Sequence, residues 1–188
     1  MQGLADEALL ALIRRRDQQA YACFLRRHLD GVHRYLLRLT GSRADSEELS
    51  QEVFLRVWQK AHTFKAHHGK PTTWLYRIAH NLCVDMFRKR GGTTESELPD
   101  ELPDPSASAE AQLTSDRAWR HFQQALRQLP HTQRAALMLC QVQGFSNKEA
   151  AQILGVGVRA IESLLARARR TLRETLPEAP TDASGSTK

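Results

Sequence analysis

The chain has 188 residues, with 27 Lys and Arg against 21 Asp and Glu, which gives a formal net charge of +6. Hydrophobic residues make up 41% and charged residues 26%, as in globular rather than disordered chains. Aromatic residues are only 6%, which argues against a large β-sandwich, and no apolar run approaches the ~18 residues of a membrane span. The acidic N-terminus does not have the order of a signal peptide. We therefore expect a cytoplasmic protein with no direct membrane insertion.

The net charge is divided into blocks of opposite sign. Residues 1–90 have a net charge of +7 and residues 113–176 have +6, whereas residues 91–112 have −6 and contain no Lys or Arg. The acidic segment is rich in Pro, Gly and Ser, which disfavour helix and bury little apolar surface. We predict two small domains, 1–90 and 113–176, a flexible acidic linker over 91–112 and a frayed tail over 177–188. Basic blocks are typical of proteins that bind nucleic acid or an anionic membrane.

Apolar residues in the first block recur at intervals of three and four, the period of amphipathic helices. A short helix over about 4–16 and three longer apolar stripes predict four helices. The stripes are Tyr21, Phe24, Leu25, Val32, Leu36 and Leu39; Leu49, Val53, Val57 and Ala61; and Leu75, Ile78, Leu82 and Met86. Gly41 can end one helix, and the S-x-x-D pattern from Ser42 to Asp45 can cap the next. No period-2 pattern of a strand occurs, so the predicted fold class is all-α.

The segment from Asp45 to Trp58 combines an acidic first turn with an apolar stripe. Acidic residues in a first turn are favourable to the helix dipole, and that role alone would explain them. Phe54 and Trp58, however, widen the stripe beyond one core face. A surface that docks another protein is therefore the alternative interpretation.

The segment from Lys70 to Arg90 interleaves aromatic with basic side chains. Trp74 and Tyr76 can stack on unpaired bases, and Asn81 can hydrogen-bond to a base edge, a combination that suits single-stranded DNA. The basic side chains that could contact the phosphates are Arg77, Arg88, Lys89 and Arg90. A core tryptophan and a basic helix end favoured by the dipole explain the same residues equally well.

The second block predicts four helices separated by proline and glycine. They span about 109–128, 131–143, 146–154 and 158–175. Ser146 with Glu149 forms a second capping-box pattern, and Gly155 can end the short third helix. The order of short helix, glycine-containing turn and longer helix indicates a helix-turn-helix.

The longer helix of this motif has five arginines. They are Arg159, Arg167, Arg169, Arg170 and Arg173. Arginine binds guanine edges or phosphates, and a helix that follows such a turn fits the ~12 Å major groove. A solvated helix face would also be rich in arginine, but the turn, the caps and the net charge favour DNA binding. Glu162 can accept from cytosine N4 or pair with Arg159 or Arg169.

These three segments, in this order and spacing, resemble the sigma-70 superfamily, and specifically the small two-domain ECF (extracytoplasmic-function, group 4) sigma factors. Residues 47–58 resemble region 2.2, which docks on the β′ clamp of core RNA polymerase. Residues 73–90 resemble regions 2.3–2.4, which open and read the −10 element. Residues 126–173 resemble region 4, whose helix-turn-helix reads the −35 element and whose flank meets the β flap. The resemblance covers about residues 15–90 and 113–175.

The resemblance implies three sets of site residues. Those for core polymerase are Glu47, Glu48, Gln51, Phe54 and Trp58. Those for the −10 element are Trp74, Tyr76, Arg77, His80, Asn81, Arg88, Lys89 and Arg90. Those for the −35 element are Arg159, Glu162, Ser163, Arg167, Arg169 and Arg170. The family acts by binding, with no catalytic residue, metal or cofactor: Asn81, with His80 and Arg77, would capture a flipped −10 base and so stabilise the melted strand.

The resemblance also implies how the remaining segments and partners act. The acidic linker would thread the basic active-site and RNA-exit channel of the polymerase in place of RNA. An anti-sigma factor, in this family often membrane-bound, would silence the protein. Glu162 and Leu164 depart from the family, which often has a basic residue and Arg there, so the −35 sequence is not carried over from relatives.

Two other classes of protein fit less of the sequence. A stand-alone helix-turn-helix repressor would need a dimer interface or effector pocket in the first block, which instead has its own basic-aromatic helix. An enzyme would need a motif such as HExxH, a glycine-rich phosphate loop or a Ser/His/Asp signature, and none occurs. His67 and His68 lie in a polar loop, where surface placement is expected. Cys23, Cys83 and Cys140 are far apart, which predicts buried hydrophobic side chains rather than a disulfide or zinc site.

Overall fold

The computed structural model describes residue 1, residues 3–91 and residues 124–175. All regular structure in these ranges is helical, as predicted, and it forms two small helical domains. The predicted acidic linker lies outside the described residues except for Gly91. The predicted tail and most of the helix predicted over 109–128 lie outside them as well; residues 124–128 of that helix are described and are helical.

The first domain consists of four helices joined by short connections. They are α1 (Asp6–Arg14), α2 (Gln18–Thr40), α3 (Arg43–Lys60) and α4 (Pro71–Lys89), with 3-10 turns at Ala61–Thr63 and Ala66–His68 before α4. The Asp17 carboxylate accepts a hydrogen bond of 2.9 Å from the amide of Ala20 and caps α2. Gly41 ends α2 in the left-handed conformation, with φ +68°. α1 is shorter than the predicted helix, and Arg16 after it has φ +66°.

Only half of the capping box predicted at Ser42 is formed. The Ser42 hydroxyl accepts a hydrogen bond of 3.2 Å from the amide of Asp45, as a capping residue does. The Ser42 amide, however, donates to the hydroxyl of Thr40 at 3.2 Å. The Asp45 carboxylate is therefore left for another partner, which is Arg90.

The second domain begins with the helical residues 124–128, and three further α-helices follow among the described residues. They are α5 (His131–Leu137), α6 (Asn147–Leu154) and α7 (Val158–Thr175). The helix predicted over 131–143 changes its geometry part of the way along, because α5 continues as a π-helical turn over Met138–Val142. In this turn the amide of Gln143 donates to the carbonyl of Met138 at 3.0 Å, five residues back.

Buried side chains from both domains form one continuous core. Its largest fully buried members are Tyr35, Phe24, Phe54, Leu9, Leu10, Ile13, Leu36, Leu39, Leu75, Leu129, Met138 and Leu139. Cys23 and Cys83 are buried and Cys140 is half-buried, and all three are free thiols. This placement agrees with the hydrophobic role predicted for them.

The second domain lies against α2 and α4 of the first. We call this contact the domain interface. Its residues on the first domain are Leu39, Lys70, Tyr76, His80, Cys83 and Phe87, and those on the second are His131, Arg134, Gln143, Phe145 and Glu149.

Arg134 is the most heavily bonded side chain of the domain interface. Its guanidinium donates to four carbonyl oxygens at 2.9–3.0 Å. Three of them belong to its own domain, at Leu126, Arg127 and Leu129, and the fourth is that of Leu39 in α2. Burial lowers the pKa of Arg134 to about 10, so the side chain remains charged at neutral pH. These bonds explain how a cation is tolerated at 5% exposure.

Candidate nucleic-acid interface

The second domain contains the predicted helix-turn-helix, built from α6, a three-residue turn and α7. The Ser146 hydroxyl accepts from the amide of Glu149 at 3.3 Å, and the Glu149 carboxylate accepts from the amide of Ser146 at 2.9 Å. This complete capping box starts α6, and Gly155 ends it with φ +68°. Ala150 and Ala151 are buried between the helices, where small side chains permit a close crossing. The prediction of a helix-turn-helix is confirmed.

α7 has one apolar face and one charged face. Ile161, Leu165 and Ala168 are buried against the domain. The six side chains predicted for the −35 element are all exposed; they are Arg159, Glu162, Ser163, Arg167, Arg169 and Arg170. A protruding helix with four exposed arginines can place guanidinium groups on phosphates and on base edges of a major groove.

Two of these six residues differ from the rest in what they offer to a ligand. The Ser163 hydroxyl donates to the carbonyl of Arg159 at 3.0 Å, so its proton is already used within α7. Glu162 forms no ion pair with Arg159 or Arg169, all three being described residues. Its carboxylate is therefore available as an acceptor on the outer face.

α4 presents a second outward face. Trp74, Arg77, Asn81 and Arg88 follow one another at intervals of three, four and seven residues, which places them on one side of the helix. Arg77, Asn81 and Arg88 are exposed. Trp74 is half-buried and packs edge-on against Phe64, with ring centroids 5.9 Å apart. This face combines an aromatic edge, an amide and two cations, the groups that bind single-stranded nucleic acid.

Tyr76 and His80, which were also predicted for the −10 element, are buried and do not belong to this exposed face of α4. The Tyr76 hydroxyl donates to Oε1 of Gln143 at 2.7 Å, and burial raises its pKa to about 12. Nδ1 of His80 lies 3.3 Å from the hydroxyl of Tyr35, and burial lowers the pKa of His80 to about 4. His80 also stacks on His131 at 5.6 Å. Both side chains are covered by the second domain.

The basic end of α4 is partly neutralised by acidic residues. Arg90 donates two hydrogen bonds of 2.7 Å to the carboxylate of Asp45, and the first of the causes that lower the pKa of Asp45 is this hydrogen bond. Arg88 pairs with Asp85 at 3.0 Å on the same helix. Lys89 is exposed between them. Arg90 is thus a structural cation in this state, because it fixes the end of α4 to the start of α3.

α2 and α3 enclose an open, mostly apolar groove of about 540 Å³. Its lining includes Tyr21, Leu25, Leu29, Asp30, His33, Glu47, Ser50, Gln51, Phe54 and Leu55. Two of these apolar side chains are exposed, Leu29 at 37% and Leu55 at 47%. Glu47, Glu48 and Gln51 are exposed as well. An apolar groove beside carboxylates suits a partner helix that offers apolar and basic side chains.

The two aromatic residues predicted for polymerase docking are less accessible. Phe54 is 2% exposed and belongs to the core. Trp58 is half-buried: Tyr21 packs edge-on against its ring at 5.1 Å, and the guanidinium of Arg16 lies over the ring at 5.4 Å. The exposed rim of the groove includes Glu47, Gln51 and Leu55.

Several functional features of the domain interface were not singled out from the sequence. Arg134 precedes a buried apolar run, and a lone cation beside such a run is a signal for a bonded, buried arginine.

Among the described residues, no group of three His, Cys, Asp or Glu side chains is placed to hold a metal ion. None of the described helices has the length and apolarity needed to span a membrane.

Family models match both domains. Residues 24–93 match sigma-70 region 2, and residues 120–172 match sigma-70, region 4, which together cover more than half of the chain. The chain is 36% identical over 155 residues to the ECF RNA polymerase sigma factor SigE of Mycolicibacterium smegmatis, covering 81% of this chain and 60% of that relative. It is 33% identical over 175 residues to the ECF RNA polymerase sigma factor SigM of Mycobacterium tuberculosis, covering 92% and 85%.

Solved structures share the fold. The sigma factor RpoE of Bartonella quintana, crystallised with the anti-sigma factor NepR, is similar with a TM-score of 0.66 and 27% identity over 80% of this chain and 92% of that one. CnrH, in complex with the cytosolic domain of CnrY, has a TM-score of 0.68 at 24% identity, covering 91% of this chain and 96% of that one.

Proposed function

Because this chain belongs to the sigma-70 family, and within it to the ECF RNA polymerase sigma factors, we propose that it directs core RNA polymerase to promoters. In this role it binds core polymerase, recognises −35 and −10 elements and promotes melting of the DNA. The observation that supports this most is the helix-turn-helix with its exposed arginine face on α7. The protein acts by binding and catalyses no reaction itself.

We assign the −35 element to the outer face of α7. Arg159, Arg167, Arg169 and Arg170 supply charge for phosphates and forked donors for guanine edges. Glu162, which pairs with neither Arg159 nor Arg169, is placed to accept from a cytosine amino group. This helix forms the reading surface of a domain that we delimit as residues 113–176.

We assign the −10 element to the outer face of α4, in a domain that spans residues 1–90. Asn81, flanked by Arg77 and Trp74, offers an amide that can hydrogen-bond to a flipped base while the indole edge packs beside it. Unpairing a base costs a few kcal/mol, and capture of the flipped base offsets part of this cost. Lys89 and Arg88 extend the same face toward the phosphates.

Core polymerase fits the groove between α2 and α3. The exposed carboxylates of Glu47 and Glu48 and the apolar rim at Leu29 and Leu55 favour a helical partner with basic and apolar side chains, which in the family is the β′ clamp. We further propose that the acidic linker over 91–112 passes through the polymerase channel and that the α7 domain meets the β flap. Such a factor works in the cytoplasm, where promoter DNA lies.

We also propose that an anti-sigma factor controls the protein. The support is the similarity, at 27% identity, to a sigma factor solved together with its anti-sigma factor. That partner would cover surfaces that polymerase or promoter DNA needs. A search for it among proteins that co-purify with this chain, followed by addition of the candidate to a transcription assay, tests this part.

The direct test is reconstituted transcription. Sigma-free core polymerase, this protein and genomic DNA fragments of its own cell are mixed, and the 5′ ends of the transcripts are sequenced. We expect starts at a defined set of sites that share two spaced elements, and none with core alone. DNA binding without core binding or initiation would contradict the proposal and would favour a repressor.

A further inference from the structure

An open, polar cavity lies where α2, the start of α4 and the second domain meet. Its volume is about 470 Å³, within the range of sites that hold small ligands. The charged and amide side chains in its wall are Arg27, Asp30 and Arg34 of α2, Lys70 before α4, and Gln143 and Glu149 of the second domain. The apolar groove between α2 and α3 lies along another side of α2 and shares Asp30 with this cavity.

Gly31 leaves space for the cavity on α2. A Cβ atom at this position would lie 2.9 Å from the Tyr76 hydroxyl and 3.8 Å from Oε1 of Gln143. Glycine weakens a helix interior relative to alanine, so its presence in the middle of α2 has a local reason. A larger side chain here would fill part of the cavity.

Arg34 is the cation of the wall that the fold leaves available. Lys70 pairs with Glu149 at 2.8 Å, and Arg27 pairs with Asp6. Arg34 forms neither an ion pair nor a hydrogen bond within the part of the chain that the structure describes. The five N–H donors of its guanidinium are therefore left for solvent or for a ligand.

Neutral donors lie beside Arg34. Burial raises the pKa of Tyr76 to about 12 and the charge of Arg34 acts against this rise, which places the guanidinium near the Tyr76 hydroxyl. This hydroxyl donates to Oε1 of Gln143 at 2.7 Å, so the NH₂ group of Gln143 is left to donate elsewhere. The backbone of Gly144 is uncovered, since a Cβ there would meet nothing within 4 Å. The groups left without a partner around Arg34 are thus donors, as an anion requires.

Two carboxylates in the wall limit the affinity for an anion. Hydrogen bonds, the largest of them from Lys70, lower the pKa of Glu149 to about 2, so Glu149 is charged and balanced by that ammonium group. Asp30 is exposed and opposes an anion directly. Burial is the first of the causes that lower the pKa of His28, which is therefore neutral at pH 7. Three cations against two carboxylates leave the wall with a small positive excess.

We propose that this cavity binds a diphosphate group, with Arg34 as the main contact and with Lys70 and the Gln143 amide as further donors. The fork of an arginine matches two phosphate oxygens. A diphosphate has two charged centres, so it can contact cations on different elements at once. Because these donors belong to both domains, the bound molecule would add its binding free energy to the domain interface. The site uses neither polymerase nor DNA, so its test is independent of the function proposed above.

The test is isothermal titration of the full chain with sodium pyrophosphate at neutral pH and constant ionic strength, without divalent cations. We expect saturable binding of one pyrophosphate per chain. Arg34→Gln should weaken it by about tenfold or more, as loss of a charge-assisted hydrogen bond implies. Arg26→Gln is the matched control, because Arg26 is exposed on α2 but lies outside the wall. Asp30→Asn should tighten binding by about threefold, since it removes the opposing charge.

Alkylation of Cys83 shows whether the bound molecule lies at the domain interface. The Cys83 thiol is buried and lies 3.7 Å from Nε2 of His131, across the interface, whereas Cys23 is buried within the first domain. Pyrophosphate at ten times its Kd should slow the reaction of Cys83 with iodoacetamide by about tenfold, read by peptide mass spectrometry. The same concentration should slow it by only about twofold in Arg34→Gln, and Cys23 should not change.

ADP, which has the same diphosphate group on a nucleoside, distinguishes the two sources of such a ligand. Tighter binding of ADP than of pyrophosphate would assign the site to nucleotides, and the reverse order would assign it to inorganic diphosphate; both support the proposal. Three results would overturn it: no saturable binding of either molecule, equal losses for Arg34→Gln and Arg26→Gln, or binding that does not protect Cys83.

Discussion

Arg90 and Asp45 form a two-pronged ion pair, with both nitrogen–oxygen distances at 2.7 Å. The pair joins the end of α4 to the first turn of α3, the two helices proposed to meet DNA and polymerase. Asp45 is mostly enclosed, with 15% of its side chain exposed, whereas 57% of Arg90 is exposed. Solvent therefore weakens the pair, but its geometry fixes how the two helices meet.

The first prediction concerns the stability that this pair contributes. A double-mutant cycle of Asp45→Asn and Arg90→Gln, measured by urea unfolding at pH 7, should give a coupling free energy of ~0.5–1 kcal/mol. The pKa of Asp45 is lowered by the Arg90 hydrogen bond, so the coupling should be complete above the unfolded pKa near ~4 and lost as the pH falls through the lower folded value. A coupling that persists at pH 2 would contradict this.

The second prediction is that acid destabilises the domain interface through its histidines. Burial lowers the pKa of His131 to about 3 and that of His80 to about 4, so the folded chain keeps both neutral where the unfolded chain binds protons. Stability should therefore fall as the pH drops from ~6.5 toward 4, by up to ~1.4 kcal/mol per pH unit for each histidine.

His131→Phe tests this prediction, because it keeps a ring against His80 and Phe87 but cannot be protonated. The free energy of unfolding of this variant should depend less steeply on pH between 6.5 and 4.5 than that of the wild type. His62→Phe is the control, since His62 is exposed in the turn before α4. Equal slopes for wild type and His131→Phe would show that the histidine does not titrate in this way.

The third prediction concerns Arg134. Arg134→Met should destabilise the chain by ~3 kcal/mol or more, because four carbonyl oxygens lose their donor in a buried place. Arg134→Lys should recover little of this loss, since an ammonium has three donors and no planar fork. Urea unfolding measures both, with the exposed Arg173→Met as control. If Arg134→Lys were as stable as the wild type, the positive charge, and not the planar geometry of the guanidinium, would account for the stabilisation.

The fourth prediction concerns the proposed −35 surface. Arg167→Ala should weaken binding of holoenzyme to promoter duplex and reduce the slope of log affinity against log salt by about one, if Arg167 contacts a phosphate. Arg14→Ala, an exposed arginine at the end of α1, should change neither. Fluorescence anisotropy over a salt series measures both quantities. If Arg167→Ala and Arg14→Ala weakened binding to the same extent, the change in net charge would explain both results, and a contact of Arg167 with DNA would be contradicted.

The fifth prediction separates melting from duplex recognition. Asn81→Ala should reduce permanganate reactivity of unpaired thymines near −10 by roughly tenfold, which corresponds to ~1.4 kcal/mol of lost base capture. Affinity for a −35 duplex should stay the same. A template that is already unpaired around −10 should restore transcription by the variant. Failure of that template to rescue would move the role of Asn81 away from strand separation.

The local signals in the sequence predicted most of the helices. Ser146 with Glu149 and the glycines at positions 41 and 155 mark helix ends through side-chain and backbone geometry that needs no tertiary contact. The exposed side of α7 followed from the apolar period of Ile161, Leu165 and Ala168. These features are encoded within a few residues, so they could be read directly.

The site was less predictable where distant segments meet. The helical period turns Tyr76 well away from Asn81, so periodicity alone could have separated Tyr76 from the outer face. His80 follows Arg77 by three residues and lies near the edge of that face, so its burial could not be predicted in this way. Their partners Gln143 and His131, however, lie more than 50 positions further along the sequence, and no local sequence pattern predicts these contacts. Asp45 likewise resembled a capping residue because its pairing with Arg90 spans 45 positions.

The π-helical turn over Met138–Val142 makes the length of this segment as important as its composition. Its single extra residue per turn sets the rotation at which the chain leaves α5 and so the direction in which Gln143 and Phe145 face α4. In an uninterrupted α-helix each residue adds ~100° of rotation, so the extra residue that the π-helical turn takes up would otherwise change the direction in which the following residues face. The number of residues in this stretch is therefore as constrained as the identity of its buried members, Met138 and Leu139.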